Sequence, residues 1–487
     1  MKLKKLLNEC EYSLVKGSID IEIKDIIYDS RAAAPDTLFI CIPGSRIDSH
    51  DFIGDVIKAG CRAIVVSRDV EVSGDVTLIR VSDPRLTLAL ASCALFDYPS
   101  KKMKMVGITG TKGKTTTSYM IKAILEAAGK KTGLIGTNGI IIGEEHFETK
   151  NTTPESYELQ KYFAKAVSAG CEYMIMEVSS QGLKMNRVSG IVFDIGIFMN
   201  ITPDHIGKDE HADFEEYLYW KSVLLTRCKK GLVNADDPHF SEMIKGHTCE
   251  LFTYGLDGPR DFRAEDACEL HEAGFMGTKY IFSGREKYET MLGIPGGFNV
   301  YNALAAAATA ELLGIKKEAV TDALRTVRVN GRMQLAYVGE KFSVIIDYAH
   351  NGVSANSMLR TLRSYNPRRL VVVFGCGGDR DPHRRYEMGE AVGRLADFAV
   401  ITNDNPRFED PANIIKDIHV GLDPTGCEYI EIPDRPEAIA YVMENAHQGD
   451  VIAIIGKGHE DYQEVRGVRT HLSDAEEVQK NIVRLGL

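Results

Sequence analysis

Residues 105–117 read MVGITGTKGKTTT, and the architecture is decided here. An apolar run from Met105 to Ile108 meets a glycine-rich turn, and a helical pattern opens at the threonines. Gly107, Gly110 and Gly113 keep side chains out of the way, so backbone N–H groups can face a phosphate. Lys114 adds a mobile cation, and Thr115 or Thr116 offers a hydroxyl to Mg²⁺. A plain strand-to-helix turn would need the glycines but not the lysine and threonines in register. The stretch is therefore a phosphate loop. It indicates a nucleoside triphosphate and leaves the reaction open.

Working outward, 487 residues correspond to about three domains of ordinary size. With 44% hydrophobic and 26% charged residues, the composition is that of a soluble globular protein. The net charge of −11, from 58 basic and 69 acidic side chains, gives no electrostatic reason to expect nucleic acid. Any bound phosphate must be held by local groups. The ten cysteines are scattered without a Cys-x-x-Cys pair, as free thiols in a reducing cytosol would be. The basic start MKLKKLLNECEYSL lacks a long apolar core, and no apolar run approaches the roughly 20 residues that span a bilayer. A cytoplasmic location without membrane insertion is expected.

Residues 1–99 alternate short strands, such as CRAIVVS and VTLIRVSD, with helical segments, and Pro99-Ser100-Lys101-Lys102 looks like a linker. Residues 100–329 carry the phosphate loop and further apolar strands. YMIMEVSS ends in Glu177, and FDIGIFMNI ends in NITPDH with His205. Strand ends of an open α/β sheet share one crevice, and a carboxylate beside a phosphate loop is where a Mg²⁺ ligand is wanted. Thr153 with Pro154 predicts a helix cap, and Asn299 predicts another for the Ala-rich helix that contains Asn302. The segment from Phe214 to Cys228 reads as one amphipathic helix, on which Lys221 would ordinarily be solvated.

Residues 330–487 alternate strand and helix as a doubly wound parallel sheet. Its strand ends carry Asp347 and His350, then Arg380, then Asp404 to Arg407, then Gly456 to Glu460. The fold class is thus α/β, with a small N-terminal domain, a central phosphate-loop domain of mainly parallel sheet, and a C-terminal Rossmann-like domain. The Arg407 guanidinium suits a carboxylate held at two points, and Asp404, Asn405 and Glu460 suit an ammonium. ATP with an amino acid suggests an amide-forming ligase that activates a carboxylate as an acyl phosphate.

The motifs GTKGKTTT, NTTPES, MEVSSQGL, NITPDH, GGFNVYNALAA, DYAH, GCGGDRD, DNPR and GKGHEDYQ resemble the Mur ligase family along the whole chain, closest to its tripeptide-forming members. The resemblance implies a UDP-binding N-terminal domain, and ATP and Mg²⁺ as cofactors. Its substrates would be UDP-N-acetylmuramoyl-L-alanyl-D-glutamate and a diamino acid, joined in peptidoglycan synthesis by what is expected to be a monomer. By the same resemblance Ser30 would bind the UDP moiety, and Asn151, Thr152, Thr153, Ser179 and Arg187 the rest of that substrate. Gly110, Thr111, Lys112, Gly113, Lys114, Thr115 and Thr116 would cradle ATP, with Asn302, Arg332, Asp347 and His350 also contacting it. Thr115, Glu177 and His205 would hold Mg²⁺ together with Lys221, which matches a lysine the family carbamylates. Arg380, Asp404, Asn405, Pro406, Arg407, Gly456 and Glu460 would bind the amino acid.

In this family DNPR with GKGHE goes with meso-diaminopimelate, whose distal carboxylate needs Arg407. Three departures keep L-lysine open as the alternative: Asn351-Gly352 after DYAH, Pro382 to Arg385 after GDRD, and a longer segment between His205 and Lys221. Folylpolyglutamate synthase shares the ATP loop but would not need the first 99 residues. A non-catalytic nucleotide-binding module would not need Glu177, Lys221 and Arg407 together.

Overall fold

The computed structural model describes residues 1–44, 47–207, 210–272 and 274–487. The chain forms two compact units, Met1–Phe262 with Ala305–Lys316, and Arg263–Leu304 with Lys317–Leu487.

The first unit holds two sheets. The N-terminal sheet runs Ser13–Lys16, Thr77–Arg80, Ala63–Val66, Thr37–Ile40, Asp25–Ile27, parallel except for the Ser13–Lys16 edge. Helix Pro84–Leu95 covers it, with Leu88 and Ala91 against Leu38, Val65 and Ile79. That helix starts where Asp83 accepts from the Arg85 and Leu86 N–H groups and Pro84 presets the backbone angle. In the second sheet, strand Lys104–Thr109 lies between Tyr173–Glu177 and Phe193–Phe198, parallel to both. Thr132–Gly136 extends this sheet beyond Tyr173–Glu177, and Cys228–Asn234 beyond Phe193–Phe198, also in parallel. The phosphate-loop strand is therefore central, and its C-terminal end opens beside those of both neighbours.

In the second unit the six-stranded sheet has the order Gln334–Val338, Phe342–Asp347, Asp450–Ile455, Arg369–Phe374, Phe398–Ile401, Glu428–Glu431. Every pair is parallel except the first. Asp450–Ile455, the last of these in the chain, inserts in the middle. This aligns its end with those carrying Asp347 and Asp404. An antiparallel group, Phe262–Glu272, Phe275–Ser283 and Lys287–Leu292, escaped the sequence reading: Phe262–Glu272 is polar and mostly exposed after Glu265, although Phe275–Ser283 buries Met276, Thr278, Tyr280 and Phe282 at alternate positions.

Three local expectations are corrected. Helix Ser156–Ser168 is capped by Glu155, and Thr153 is buried below it. Helix Gly297–Leu312 begins before Asn299, whose amide instead donates to the Pro295 carbonyl at 2.7 Å. The helix at Phe214 ends at Ser222 and tightens into the turn Val223–Thr226, because Cys228 already pairs with Phe193 in the sheet.

Helices Arg435–Glu444 and Asp474–Leu485 are joined by a fully buried ion pair. Arg435 donates from Nε and Nη2 to the two Asp474 oxygens at 2.7 and 2.8 Å, and Nη2 also reaches the Ile455 carbonyl. Asp474→Asn would leave a buried guanidinium without its counter-ion. It is expected to cost about 3–5 kcal/mol, read as a lower midpoint in urea unfolding. An unchanged midpoint would show that the pair is dispensable.

Candidate active site

The phosphate loop is fastened from the neighbouring strand. Thr111 N–H donates to the Asn200 carbonyl at 2.9 Å, and Lys112 N–H to the Asn200 side chain at 2.9 Å. The Asn200 amide returns a bond to the Lys112 carbonyl. Gly113, at φ +87°, caps helix Lys114–Ala127, a conformation that a side chain would strain. The N–H groups of that first turn have no acceptor within the helix. Gly107 has a different use from the one expected. A Cβ there would lie 2.8 Å from the Phe193 ring, so it is required for strand packing and not for the loop.

Two lysines converge on one carbonyl. Lys114 Nζ donates to Gly110 O at 2.8 Å and to Thr111 O at 3.1 Å. Lys221 Nζ donates to Gly110 O at 2.9 Å. Lys221 is not solvated: it is 2% exposed, and its ammonium lies 4.5 Å from the centre of the Tyr217 ring. Burial, and then the charge of Lys114, push its amine well below the usual lysine range. Tyr217, itself buried, has its hydroxyl 3.1 Å from Thr111 Oγ1. His205 is exposed at φ +53°, with Nδ1 2.9 Å from Glu210 and its ring 6.1 Å from that of Tyr217.

Glu177 ends its strand 1% exposed. It accepts from Thr137 N–H at 3.0 Å and from Thr137 Oγ1 at 3.1 Å, and Thr137 also meets the Thr152 hydroxyl. Thr153 Oγ1 donates to the Glu177 carbonyl and accepts from Ser179 N–H, both at 2.9 Å. Arg187 donates to the Thr153 carbonyl at 3.0 Å. The structure therefore gathers Thr152, Thr153, Glu177, Ser179 and Arg187 into one bonded cluster. Asn151 is exposed at the start of its segment, where its carbonyl accepts from Thr149. Ser30 stands on a separate turn, Ser30–Ala32, capped by Asp29. That turn follows Tyr28, whose hydroxyl reaches Glu158 at 2.7 Å.

Among the described residues, no three His, Cys, Asp or Glu side chains converge as a metal cage. The donor atoms of Thr115, Glu177 and His205 are of a kind that a hard cation such as Mg²⁺ would accept beside waters and substrate oxygens. A protonated Lys221 could not join such a set.

In the second unit, Asn405 Nδ2 donates to Glu460 Oε2 at 2.8 Å, and the Tyr348 hydroxyl to Glu460 Oε1 at 3.3 Å. Asp404 Oδ2 lies 2.7 Å from where a Cβ on Gly456 would stand, so Gly456 admits that carboxylate. Burial, and then the charge of Asp404, raise the Glu460 carboxyl above its ordinary value. Arg407 has φ +53° and donates from Nη1 to the Gly378 carbonyl at 2.7 Å. Its backbone pairs with the hairpin Tyr462–Val465/Val468–His471, donating to Glu464 O and accepting from Arg466 N–H. Arg380 belongs to the loop before helix His383–Leu395.

Asp347, whose carboxyl burial raises, accepts from Met333 and Ala349 N–H groups. The Arg332 guanidinium lies 5.5 Å from the Tyr348 ring, and His350 Nδ1 is 2.8 Å from the Tyr348 carbonyl. Asn302 is buried and donates to Asn299 Oδ1.

Family models match three stretches: "Mur ligase family, catalytic domain" at 22–95, "Mur ligase middle domain" at 108–310, and "Mur ligase, glutamate ligase domain" at 331–458. The chain is 41% identical over 485 residues to a UDP-N-acetylmuramoyl-L-alanyl-D-glutamate–2,6-diaminopimelate ligase of Caldanaerobacter subterraneus subsp. tengcongensis, covering 99% of each. It is 40% identical to the protein of that name from Clostridium perfringens, covering 98% of this chain and 99% of the relative. A solved structure of a ligase so named superposes with a TM-score of 0.76 at 28% identity, covering 100% of this chain and 99% of that one.

The chain belongs to the Mur ligase family. Several residues that bond to or pack against the candidate site residues within each unit were missed by the sequence reading. Tyr348 lies inside the quoted DYAH motif, so its signal was available. Asn200 was likewise in view within NITPDH. Tyr217, Thr137 and the buried His211, 2.9 Å from Ser180 Oγ, carry no spacing that separates them from ordinary core residues.

Proposed function

We propose that this Mur ligase joins meso-diaminopimelate to the D-glutamyl carboxylate of UDP-N-acetylmuramoyl-L-alanyl-D-glutamate, consuming ATP. The reading is carried by kinship at 41% identity, over 99% of the chain, with a ligase of that name. The bonded group of Asn405 and Glu460, with Arg407 on the same strand end, supports it.

In the proposed reaction, Thr152, Thr153, Ser179 and Arg187, with Asn151 and Ser30, hold the UDP-linked substrate. Gly110 to Thr116 cradle the triphosphate, and Asn302, Arg332, Asp347 and His350 contact the nucleotide. A carboxylate oxygen of the D-glutamyl group attacks the γ-phosphorus, the bond to the bridging oxygen breaks, and ADP leaves. Lys114 faces the charge that develops on the transferring phosphoryl group. Mg²⁺, held by Thr115, Glu177, His205 and a carbamate on Lys221, would offset phosphate charge.

Asp404, Asn405 and Glu460 orient the α-ammonium group at one end of diaminopimelate, and Arg407 holds a carboxylate. Arg380, Pro406 and Gly456 shape the rest of that pocket. Once deprotonated, the amine at the other end attacks the acyl carbon of the acyl phosphate and phosphate departs. The division into 1–99, 100–329 and 330–487, a cytoplasmic location and a monomeric state complete the proposal. For location, the structure adds that no helix among the described residues is long and apolar enough to cross a membrane.

Phosphate release is expected only when the UDP-linked dipeptide and diaminopimelate are both present. At fixed ATP, diaminopimelate should exceed L-lysine and ornithine as acceptor. Faster turnover with lysine would overturn the specificity, and ligation to a folate substrate would overturn the reaction.

A further inference from the structure

Arg407 holds an uncommon backbone conformation for a side-chain-bearing residue, at φ +53°. Something must hold it there. Part of the restraint is its pairing with the 462–471 hairpin. The other part comes from the opposite side, where the 375–381 loop runs against the 404–409 loop. Gly378 N–H donates to the Asn405 carbonyl at 2.9 Å. The approach is so close that a Cβ on Gly378 would fall 1.9 Å from the Pro406 carbonyl.

One buried guanidinium joins these two loops. Arg385, 2% exposed, reaches Glu409 from Nη2 at 2.8 Å and Asp417 from Nη1 at 2.7 Å. The same Nη2 reaches the Gly377 carbonyl at 3.3 Å. Glu409 then accepts from Asp379 N–H at 2.5 Å, and its own N–H bonds to the Pro406 carbonyl at 3.0 Å. Its carboxyl is held below the ordinary range by the Arg385 hydrogen bond. Arg385 thus sits behind the loop that carries Arg407. It touches that loop through Glu409, and it touches the adjoining loop whose Gly378 carbonyl receives Arg407 Nη1.

We propose that Arg385 and Glu409 are positioning residues for amino-acid selection, a clamp that sets the Arg407 guanidinium for the distal carboxylate of the incoming diamino acid. The inference rests on the amino-acid site proposed above. A planar fork matters here, since Arg385 addresses two carboxylates and the carbonyls of Gly377 and Arg380 at once, which an ammonium cannot do with the same geometry. Asp417 shares the guanidinium but lies on helix Pro411–Leu422, outside the 404–409 loop, so it separates clamping from general stability.

The test is steady-state kinetics of the full-length enzyme with diaminopimelate, beside thermal unfolding. Glu409→Gln and Arg385→Lys are expected to raise KM for diaminopimelate about tenfold, with kcat and KM for ATP within about twofold. Asp417→Asn should lower the thermal midpoint and leave KM for diaminopimelate unchanged. Glu409→Gln keeps the side-chain shape and so tests the clamp even if Arg385→Lys does not fold. An unchanged KM in folded Glu409→Gln, or an equal rise in Asp417→Asn, overturns the proposal. If Arg407→Ala itself leaves KM unaltered, the amino-acid site reading has failed instead.

Discussion

Lys221→Ala is expected to lower the ligation rate by about 10³-fold while the protein remains folded. The side chain is buried, and its amine is directed at Gly110 O of the phosphate loop, which Lys114 also addresses. Two ammonium groups on one carbonyl repel each other, and burial adds to the cost of charge on Lys221. Both effects favour the neutral amine. A neutral amine is the form that adds to CO₂: the nitrogen lone pair bonds to carbon, a proton leaves, and a carbamate anion remains. That exchange would turn repulsion from Lys114 into attraction and place two hard oxygens beside the loop. The measurement is the ligation rate with and without bicarbonate, together with ¹³C NMR of protein exposed to labelled CO₂. A carbamate resonance is expected in the native chain and not in Lys221→Ala. Retention of more than about a tenth of the native rate by the variant would remove Lys221 from the proposed site.

Arg407→Ala is expected to raise KM for diaminopimelate by about 100-fold or more, with KM for ATP within about twofold. The guanidinium is held by the Gly378 carbonyl through Nη1, and its backbone is fixed on both sides. A carboxylate that has shed its water needs that fork, and alanine would leave it unpaired. L-Lysine has no distal carboxylate, so the variant should discriminate less between the two acceptors than the native enzyme does. Equal losses for diaminopimelate and ATP would argue that Arg407 supports the fold and not selection.

Much of the architecture was legible because buried parallel strands are long apolar runs. SVIIDYAH, RLVVVFGCGG and FAVITNDNPR each became a strand followed by a polar loop, at Phe342–Asp347, Arg369–Phe374 and Phe398–Ile401. Caps were read less well. Thr153 and Asn299 have the chemistry of a cap, but each is recruited by a partner that lies elsewhere or a turn away, Glu177 and Pro295. The sequence cannot weigh a local hydrogen bond against a distant one. Gly107 shows the same limit, since its reason for being glycine is the Phe193 ring, 86 positions along the numbering (193 − 107).

The sequence by itself determined the apolar parallel strands, the phosphate loop and the polar strand ends. These depend on residue type and short spacing, which a linear reading retains. Only the tertiary structure decided that Lys221 is buried against Gly110, that Glu177 is cradled by Thr137, and that Arg385 reaches Glu409 and Asp417 together. Burial, charge repulsion and the aim of a guanidinium are set by groups brought together from distant parts of the chain. Their energies therefore depend on the folded arrangement and not on any one stretch of it.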